Sequence, residues 1–150
     1  MAKWQSGKVI GKGNIVGEII KTFRDLKVWK KGMELCFTIY RATEAMPKAE
    51  IFGLTSQMRR AVYSIPLNIA EGFGKHTRPE LVRGLRTAMG SLCELTTAYE
   101  IALGLKHLKR DPTILNRLAE EDRMIQAFIM ALEEKTRQEK ATNRLRKPKA

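Results

Sequence analysis

Apolar residues recur every three or four positions in four successive segments, the spacing that places side chains on one face of an α-helix. The clearest stripe is the third: Leu81, Leu85, Ala88, Leu92, Leu95, Tyr99 and Ala102 or Leu103. Apolar residues form 43% of the 150-residue chain, enough for a core, and none of them follows a strand-like alternation. Four amphipathic helices of about 20 residues joined by short connections predict an all-α, antiparallel up-and-down four-helix bundle.

Prolines and cap residues predict the limits of these helices. We expect helices over residues 25–45, 50–73, 77–107 and 111–134. Thr77 and Asp111 are the expected N-caps of the last two helices. Pro47 is expected to end the first helix, and Pro66 predicts a kink within the second.

The other three helices carry stripes that we expect to face the core. The first stripe is Leu26, Trp29, Met33, Cys36, Phe37 and Tyr40. The second is Leu54, Met58, Ala61 or Val62, Ile65, Ile69 and Phe73, and the fourth is Leu115, Leu118, Ile125, Phe128, Ile129 and Leu132. The fourth is polar at its centre, where Glu120, Glu121 and Asp122 follow one another. We expect these carboxylates on a solvated face or opposite arginines of a second subunit.

The charge of the chain is concentrated at its ends, around a bundle predicted over residues 25–134. Residues 1–24 form a basic, glycine-containing arm and residues 135–150 a basic tail. The net charge of +12 favours a polyanionic partner such as RNA or DNA. A membrane partner is not expected, because no apolar run is long enough to span one and the tail has a single large apolar residue, Leu145. Cys36 and Cys93 suggest reduced thiols, and the N-terminus lacks a secretory signal, so we expect a cytoplasmic protein.

No catalytic, cofactor or metal constellation is expected. The glycines of the arm miss both the P-loop and the dinucleotide-binding spacing by one residue and follow no strand. Bundles that hold two metal ions use Glu-x-x-His pairs, but Phe73 and Gly104 stand three residues before His76 and His107. Both histidines lie at predicted helix ends, where a solvated or capping imidazole is the simpler interpretation.

Three strings in the chain resemble a known family. They are Phe23-Arg-Asp-Leu-Lys-Val-Trp29, Phe52-Gly-Leu-Thr-Ser-Gln-Met-Arg-Arg-Ala61 and Ser64-Ile-Pro-Leu-Asn-Ile-Ala-Glu-Gly-Phe-Gly74. The strings resemble the four-helix bundle proteins called 23S rRNA intervening-sequence proteins, and the family is similar to the accessory variability determinant of diversity-generating retroelements. The resemblance covers residues 23–134. It implies an up-and-down bundle that assembles into a ring of five subunits, and for the retroelement relatives a reverse transcriptase partner and its template RNA.

A helical wheel of the second and third helices places apolar residues on the outer side, where a second subunit is the expected cover. The predicted oligomer interface is Phe52, Tyr63, Leu67, Glu71 and Ile101. Glu71 is included because an anion near a helix C-terminus needs a cationic partner, for which Arg59 or Arg60 of a neighbouring subunit is one candidate. A kink at Pro66 that turns Leu67 inward is the alternative.

The predicted nucleic-acid contacts are cations on the second and third helices and on the tail. They are Arg59, Arg60, Lys75, Arg78, Arg83, Arg86, Lys140, Arg144, Arg146 and Lys147. Arg59 and Arg60 could instead be ion-pair residues between subunits. The sequence thus predicts a non-enzymatic, oligomeric RNA- or DNA-binding accessory protein, with a reverse transcriptase as one partner. The alternative is a structural homo-oligomer or protein-interaction scaffold with no direct nucleic-acid role.

Overall fold

A computed structural model describes residues 20–146, and the regular secondary structure of this range is entirely helical. Four α-helices follow one another: α1 Lys27–Thr43, α2 Leu54–Gly74, α3 Arg78–Gly104 and α4 Pro112–Arg146. The turns Phe23–Asp25 and Lys48–Glu50 are short 3-10 helices. The prediction of an all-α fold with four helices is confirmed. Predictions that concern residues 1–19 and 147–150 lie outside the described range.

The predicted cap residues begin the helices, with one shift in position. Thr77 caps α3 by accepting a backbone hydrogen bond at 3.4 Å, and Asp111 caps α4 in the same way at 2.8 Å. Thr22 and Asp25 form the expected capping box, but it encloses the first 3-10 turn, and α1 itself begins at Lys27. Within residues 20–146, no helix has the length and apolar character that crossing a membrane would require.

Along each pair of neighbouring helices, residue numbers in contact rise on one helix and fall on the other, as in an up-and-down bundle. The pairs are Cys36–Val62 and Thr43–Arg59 for α1 and α2, Ser64–Ser91 and Arg60–Glu94 for α2 and α3, Arg78–Glu139 and Arg86–Glu133 for α3 and α4, and Lys31–Glu120 and Glu34–Arg117 for α1 and α4. The start of α1, the end of α2, the start of α3 and the second half of α4 therefore share one end of the bundle, and α4 continues past the other helices to Arg146. We call this the terminal end of the bundle.

The predicted core stripes of α2 and α3 are confirmed. Every step of the predicted α3 stripe places a residue in the core, and Met58, Ile65 and Ile69 on α2 are buried too. The two helices approach closely at Gly72 and Gly84, where a Cβ added to either glycine would meet backbone atoms of the other helix within about 3 Å. Gly72 is a buried contact residue inside α2.

The stripe predicted for α1 is wrong by one step around the helix. Cys36 and Leu26 are buried as expected, but Phe37 and Tyr40 are exposed. The buried residues of α1 are Val28, Gly32, Leu35, Cys36, Ile39 and Thr43. Both stripes have helical spacing. At Gly32 the packing leaves little room for a larger side chain, because an added Cβ would lie 3.3 Å from Glu121 Oε1 and 3.4 Å from the Ile65 side chain.

The stripe predicted for α4 also changes, at its polar centre. The buried residues of α4 are Ile114, Leu118, Glu121, Ile125, Phe128 and Leu132, a continuous heptad pattern. Glu121 occupies one of its positions and is fully buried, which contradicts its expected place on a solvated face. The helix also runs without interruption through residue 134 to Arg146, so the first part of the tail is the end of α4.

Pro66 lies inside α2 without ending it. Proline has no N–H, so the carbonyl of Val62, one turn earlier, loses its helical partner. The thiol of Cys36 supplies one, donating to the Val62 oxygen at 3.2 Å. Asn68 bonds to Ser64 beside the proline, at 2.8 Å to its carbonyl oxygen and 3.0 Å to its hydroxyl oxygen. Leu67 remains exposed, so the proline does not turn it into the core.

Candidate nucleic-acid interface

The cations predicted on the helices do not form one patch. Arg59 and Arg60 lie in the first turns of α2, whereas Lys75 and Arg78 lie at the terminal end. Arg59 and Lys75 are about 24 Å apart along the helix axis at 1.5 Å per residue. No single short stretch of duplex backbone would contact all of these cations on one subunit.

Arg59 and Arg60 are engaged within their own chain. The Nε of Arg59 donates to the hydroxyl of Thr43 at 2.9 Å, and its guanidinium lies 4.9 Å from the centre of the Tyr40 ring. Arg60 forms an ion pair with Glu94 of α3 at 3.3 Å. Arg59, unlike Arg60, has no carboxylate partner among the described residues.

Arg78 is the most firmly held of the predicted contacts. Its two terminal nitrogens donate to the two carboxylate oxygens of Glu139 at 2.8 and 3.0 Å, and one of them also donates to Thr136 at 3.2 Å. These bonds hold the pKa of Glu139 below its usual range. The pair fixes the end of α4 against the start of α3, so Arg78 has a structural role that sequence did not suggest.

The other predicted cations on or next to α2 and α3, which we call the body cations, also have acidic partners in the same chain. They are Lys75, Arg83 and Arg86. Lys75 bonds to Glu71 at 3.1 Å and to Glu80 at 3.3 Å, and both carboxylates raise the pKa of its ammonium group. Arg83 lies 3.9 Å from Glu80, and Arg86 is paired with Glu133 of α4. The positive charge of this surface is therefore largely balanced by carboxylates. Within its own chain, Glu71 is paired with Lys75, one turn further on. A further partner from a neighbouring subunit, Arg59 or Arg60, stays a prediction.

The predicted tail cations lie on the last two turns of α4. Lys140, Arg144 and Arg146 are exposed and make no ion pair with any residue in the described range, while Lys147 falls outside that range. Lys140 and Arg144 are four residues apart, so they share one face of the helix. The α4 extension thus presents free cations beyond the Arg78–Glu139 contact.

The start of α1 and the turn before it supply a second set of free cations. Only Lys21 and Arg24 of this set belong to the predicted basic arm. The set is Lys21, Arg24, Lys27 and Lys30. None of them forms an ion pair of 4 Å or less with another residue of the described segment, and Arg24 lies over the Phe23 ring at 4.6 Å. Lys27 and Lys30 could have been found from sequence as a basic i, i+3 pair at a helix start. The start of α1 lies in the half of the bundle that contains the terminal end, and the last turns of α4 extend beyond it, so the two sets are separate groups of free cations.

An exposed apolar surface lies on the other side of the bundle, along α1 and α2. Tyr40 is beside Arg59, and in the antiparallel pair the next turn of each helix brings Phe37 and Tyr63 to the same level. Leu67 continues this line by one more turn. Phe37 is 57% and Leu67 61% exposed, and both tyrosines are exposed as well. We call this surface the α1/α2 face.

The five residues predicted for the oligomer interface are all exposed, but the structure does not bring all five together. Tyr63 and Leu67 lie on the α1/α2 face. Phe52, which is 96% exposed, precedes α2, and Ile101 lies on the outer side of α3. Glu71 is paired with Lys75 near the terminal end.

Cysteine and acidic side chains form no metal or catalytic cluster in the described part of the chain. Within residues 20–146, no three His, Cys, Asp or Glu side chains come close enough to hold a metal ion. His107 lies 3.5 Å from Glu50, and Cys93 is exposed. Burial, and then the charge of Glu121, raises the pKa of the Cys36 thiol to about 12, which makes it a poor nucleophile.

Comparison with known proteins adds a family and a fold. The model of the 23S rRNA-intervening sequence protein family matches residues 24–127. A crystal structure of a protein of unknown function from the S23 ribosomal protein family of Bacteroides thetaiotaomicron is similar, with a TM-score of 0.63 and 21% identity. The match covers 69% of this chain and 95% of that one, and at this identity it supports the fold alone. No curated protein matches the chain.

Proposed function

We propose that this chain, which belongs to the 23S rRNA-intervening sequence protein family, is a non-enzymatic homo-oligomer that binds RNA or DNA at its terminal end. One observation carries the proposal: the cations at that end have no ion pair with any described residue. They are Lys21, Arg24, Lys27, Lys30, Lys140, Arg144 and Arg146. Affinity for a nucleic acid grows with the number of phosphates that such cations neutralise, which favours this end as the binding surface.

Free and paired cations differ in what they offer a phosphate. At Lys75 or Arg86 the neighbouring carboxylate repels the incoming anion, and the existing ion pair must be weakened for a new one to form. At Lys27 or Lys140 a phosphate meets no such competition from the described residues. The body cations are therefore expected to add less affinity than their number suggests.

The sequence on either side of the described range carries further cations. Lys3, Lys8 and Lys12 precede Ile20, and Lys147 and Lys149 follow Arg146. A ring of subunits with aligned axes would multiply this charge around one rim. Binding of this kind is led by charge and shape, and we expect weak sequence selectivity.

Removing Lys140 and Arg144 together is expected to weaken nucleic-acid binding and its dependence on salt. For a duplex, the slope of log K against log salt concentration should become less steep by about 0.9 for each phosphate that the variant no longer neutralises. The measurement is binding of the nuclease-treated, full-length protein to a structured RNA over a salt series, for the native sequence and for Lys140→Ala/Arg144→Ala.

Arg83→Ala/Arg86→Ala is the matched control, because it also removes two cations but takes them from acidic partners. We expect a smaller change in slope than for the tail variant. Equal changes in slope would show that only net charge matters and would rule out the terminal end as a distinct site. Absence of binding by the native protein at moderate salt would exclude the nucleic-acid function altogether.

Self-association through the α1/α2 face is the second part of the proposal. Phe37, Tyr40, Tyr63 and Leu67 expose a continuous apolar surface that a second copy of the chain would cover. The resemblance found in the sequence implies a ring of five. A ring uses heterologous contacts, so this face would pack against a different surface of the neighbouring subunit.

Leu67→Glu is expected to reduce the assembly to monomers, because it places an unpaired charge within the covered surface. Sedimentation velocity would measure the mass of this variant beside that of the native chain. Met130→Glu is the matched control, since Met130 is 67% exposed but lies on α4, away from the α1/α2 face. Monomeric native protein, or equal dissociation of both variants, would contradict this interface.

The same apolar surface favours the alternative function, a protein-interaction scaffold with no direct role in nucleic-acid binding. A native oligomer that binds no RNA in the salt series would support it. The narrower expectation of a reverse transcriptase partner stays a prediction, and co-purification of such an enzyme after nuclease treatment would test it.

A further inference from the structure

A carboxyl group is enclosed where α1, α2 and α4 meet. Glu121 of α4 is fully buried, and neither of its oxygens has a hydrogen-bond partner in the described structure. It occupies the space left by Gly32 of α1: a Cβ added there would lie 3.3 Å from Glu121 Oε1. Side-chain atoms of Ile65 and Pro66 close the other side, at 3.4 and 3.6 Å from the same point. Buried carboxyl groups with a purely structural role normally have a hydrogen-bond partner, so the lack of one at Glu121 requires an explanation.

The neighbouring polar groups leave this carboxyl without compensation. The Cys36 thiol is already committed to the Val62 carbonyl oxygen. Lys31 and Glu34 of α1 and Glu120 of α4 act on the charge of this carboxyl, while Ile65 and Pro66 of α2 place apolar atoms beside it. The Lys31 ammonium pairs with Glu34 at 3.3 Å and with Glu120 at 3.6 Å at the surface, and Arg117 pairs with Glu34 at 3.2 Å. The two positive charges are therefore shared with two other carboxylates.

Physical chemistry then favours different protonation states for docked and undocked helices. Burial raises the pKa of Glu121 to about 8, with a further rise from Glu120 that Lys31 partly offsets. A buried, unpaired carboxylate is costly, whereas the protonated acid is neutral. Gly32, Ile65 and Pro66 enclose the group, so water reaches it only if α4 separates from α1.

We propose that Glu121 is a proton-linked latch that holds α4 on α1. With the proton bound, the α1/α4 contact stays closed. When the proton is lost to water, the open state, in which the carboxylate is solvated, becomes more favourable, and α4 separates from α1. Cys36 is then exposed to solvent as well. The latch concerns the docking of α4 alone, so it holds whether or not the terminal end binds nucleic acid.

Cys36 provides a direct reporter of this opening. The sequence has two cysteines, so Cys93→Ser leaves Cys36 as the sole thiol. The rate of its reaction with an uncharged maleimide, divided by the rate in the urea-unfolded protein at the same pH, gives the opening constant free of thiol ionisation. We expect this constant to rise close to tenfold per pH unit from pH 6 toward 8 and then to level off. In Cys93→Ser/Glu121→Gln the side chain at position 121 cannot ionise, so the opening constant should not change with pH.

The same pH dependence in both variants, or none in either, would overturn the latch. Amide hydrogen exchange of the native chain, normalised for the intrinsic pH dependence of exchange, is a second measurement that needs no substitution. Exchange should accelerate with pH in the central turns of α1 and α4 and stay unchanged in the tightly packed parts of α2 and α3. Equal acceleration in all four helices would indicate global unfolding and reject a local latch.

Discussion

Replacing Gly84 with alanine is expected to prevent α2 and α3 from packing. A Cβ at this position would lie 2.5 Å from the carbonyl oxygen of Asn68 and 2.9 Å from the Cα of Gly72. Both are backbone atoms, which cannot rotate away as a side-chain end would. Relieving the overlap requires the two helices to separate, and we expect a loss of about 3 kcal/mol or more in unfolding free energy. Urea denaturation followed by circular dichroism measures it.

Gly90→Ala is the control, because it makes the same substitution in the same helix. Nothing lies within 4 Å of a Cβ added at Gly90, so only helix propensity changes there. That variant should gain up to about 1 kcal/mol. If Gly84→Ala is as stable as Gly90→Ala, the close approach of α2 and α3 is wrong, and with it the core geometry that supports both proposed surfaces.

The sequence determined α2 and α3 well for a local reason. Their stripes consist mainly of Leu, Ile, Ala and Met at regular helical spacing. The cap at Thr77 fixes where α3 begins. Gly72 and Gly84 could not be interpreted in the same way. Their close approach depends on the relative position of two helices, and each glycine alone resembles a weak point or a stop.

In α1, two helical stripes compete, and local hydrophobicity selects the wrong one. The aromatic stripe that includes Phe37 and Tyr40 is the stronger by composition. The buried stripe includes Gly32 and Thr43, which look like poor core residues. Gly32 is needed because Glu121 of α4 fills its space, a demand set by a residue far along the chain. The error had a consequence, since it hid the largest exposed apolar surface of the described structure.

The candidate site was predictable in kind but not in place. Net charge led to the hypothesis of a polyanionic partner, yet it weighed every cation equally. Arg78 and Arg86 are neutralised by Glu139 and Glu133, which are distant in sequence and meet them only through the α3/α4 pairing. Lys140 and Arg144 are not neutralised in this way, because they lie on α4 beyond the Arg78–Glu139 contact and form no ion pair with the described residues.

Glu121→Met is expected to stabilise the bundle most strongly in alkaline solution. In the native chain the pKa of Glu121 is about 8 when folded, against a reference value of 4.5. A raised folded-state pKa means that the folded protein binds the proton more tightly, so its contribution to stability is complete below pH 4.5 and is lost as pH rises toward 8. The loss is about 1.4 kcal/mol per pH unit within this window. Methionine is close to glutamate in volume, does not titrate and suits a position enclosed by Ile65 and Pro66.

The stability difference between Glu121→Met and the native chain should therefore grow with pH and level off above pH 8, reaching roughly 4 to 5 kcal/mol. Urea unfolding at intervals from pH 5 to 9 would show it, and the comparison with the native chain cancels the other titrating groups. Glu134→Met repeats the substitution at an exposed position of α4 and should change stability by less than about 1 kcal/mol throughout. A constant difference would mean that Glu121 is already charged in the folded state. A charged Glu121 would need a cationic partner. Lys31 or Arg117 would then have to leave its pairing with Glu120 or Glu34 to supply one.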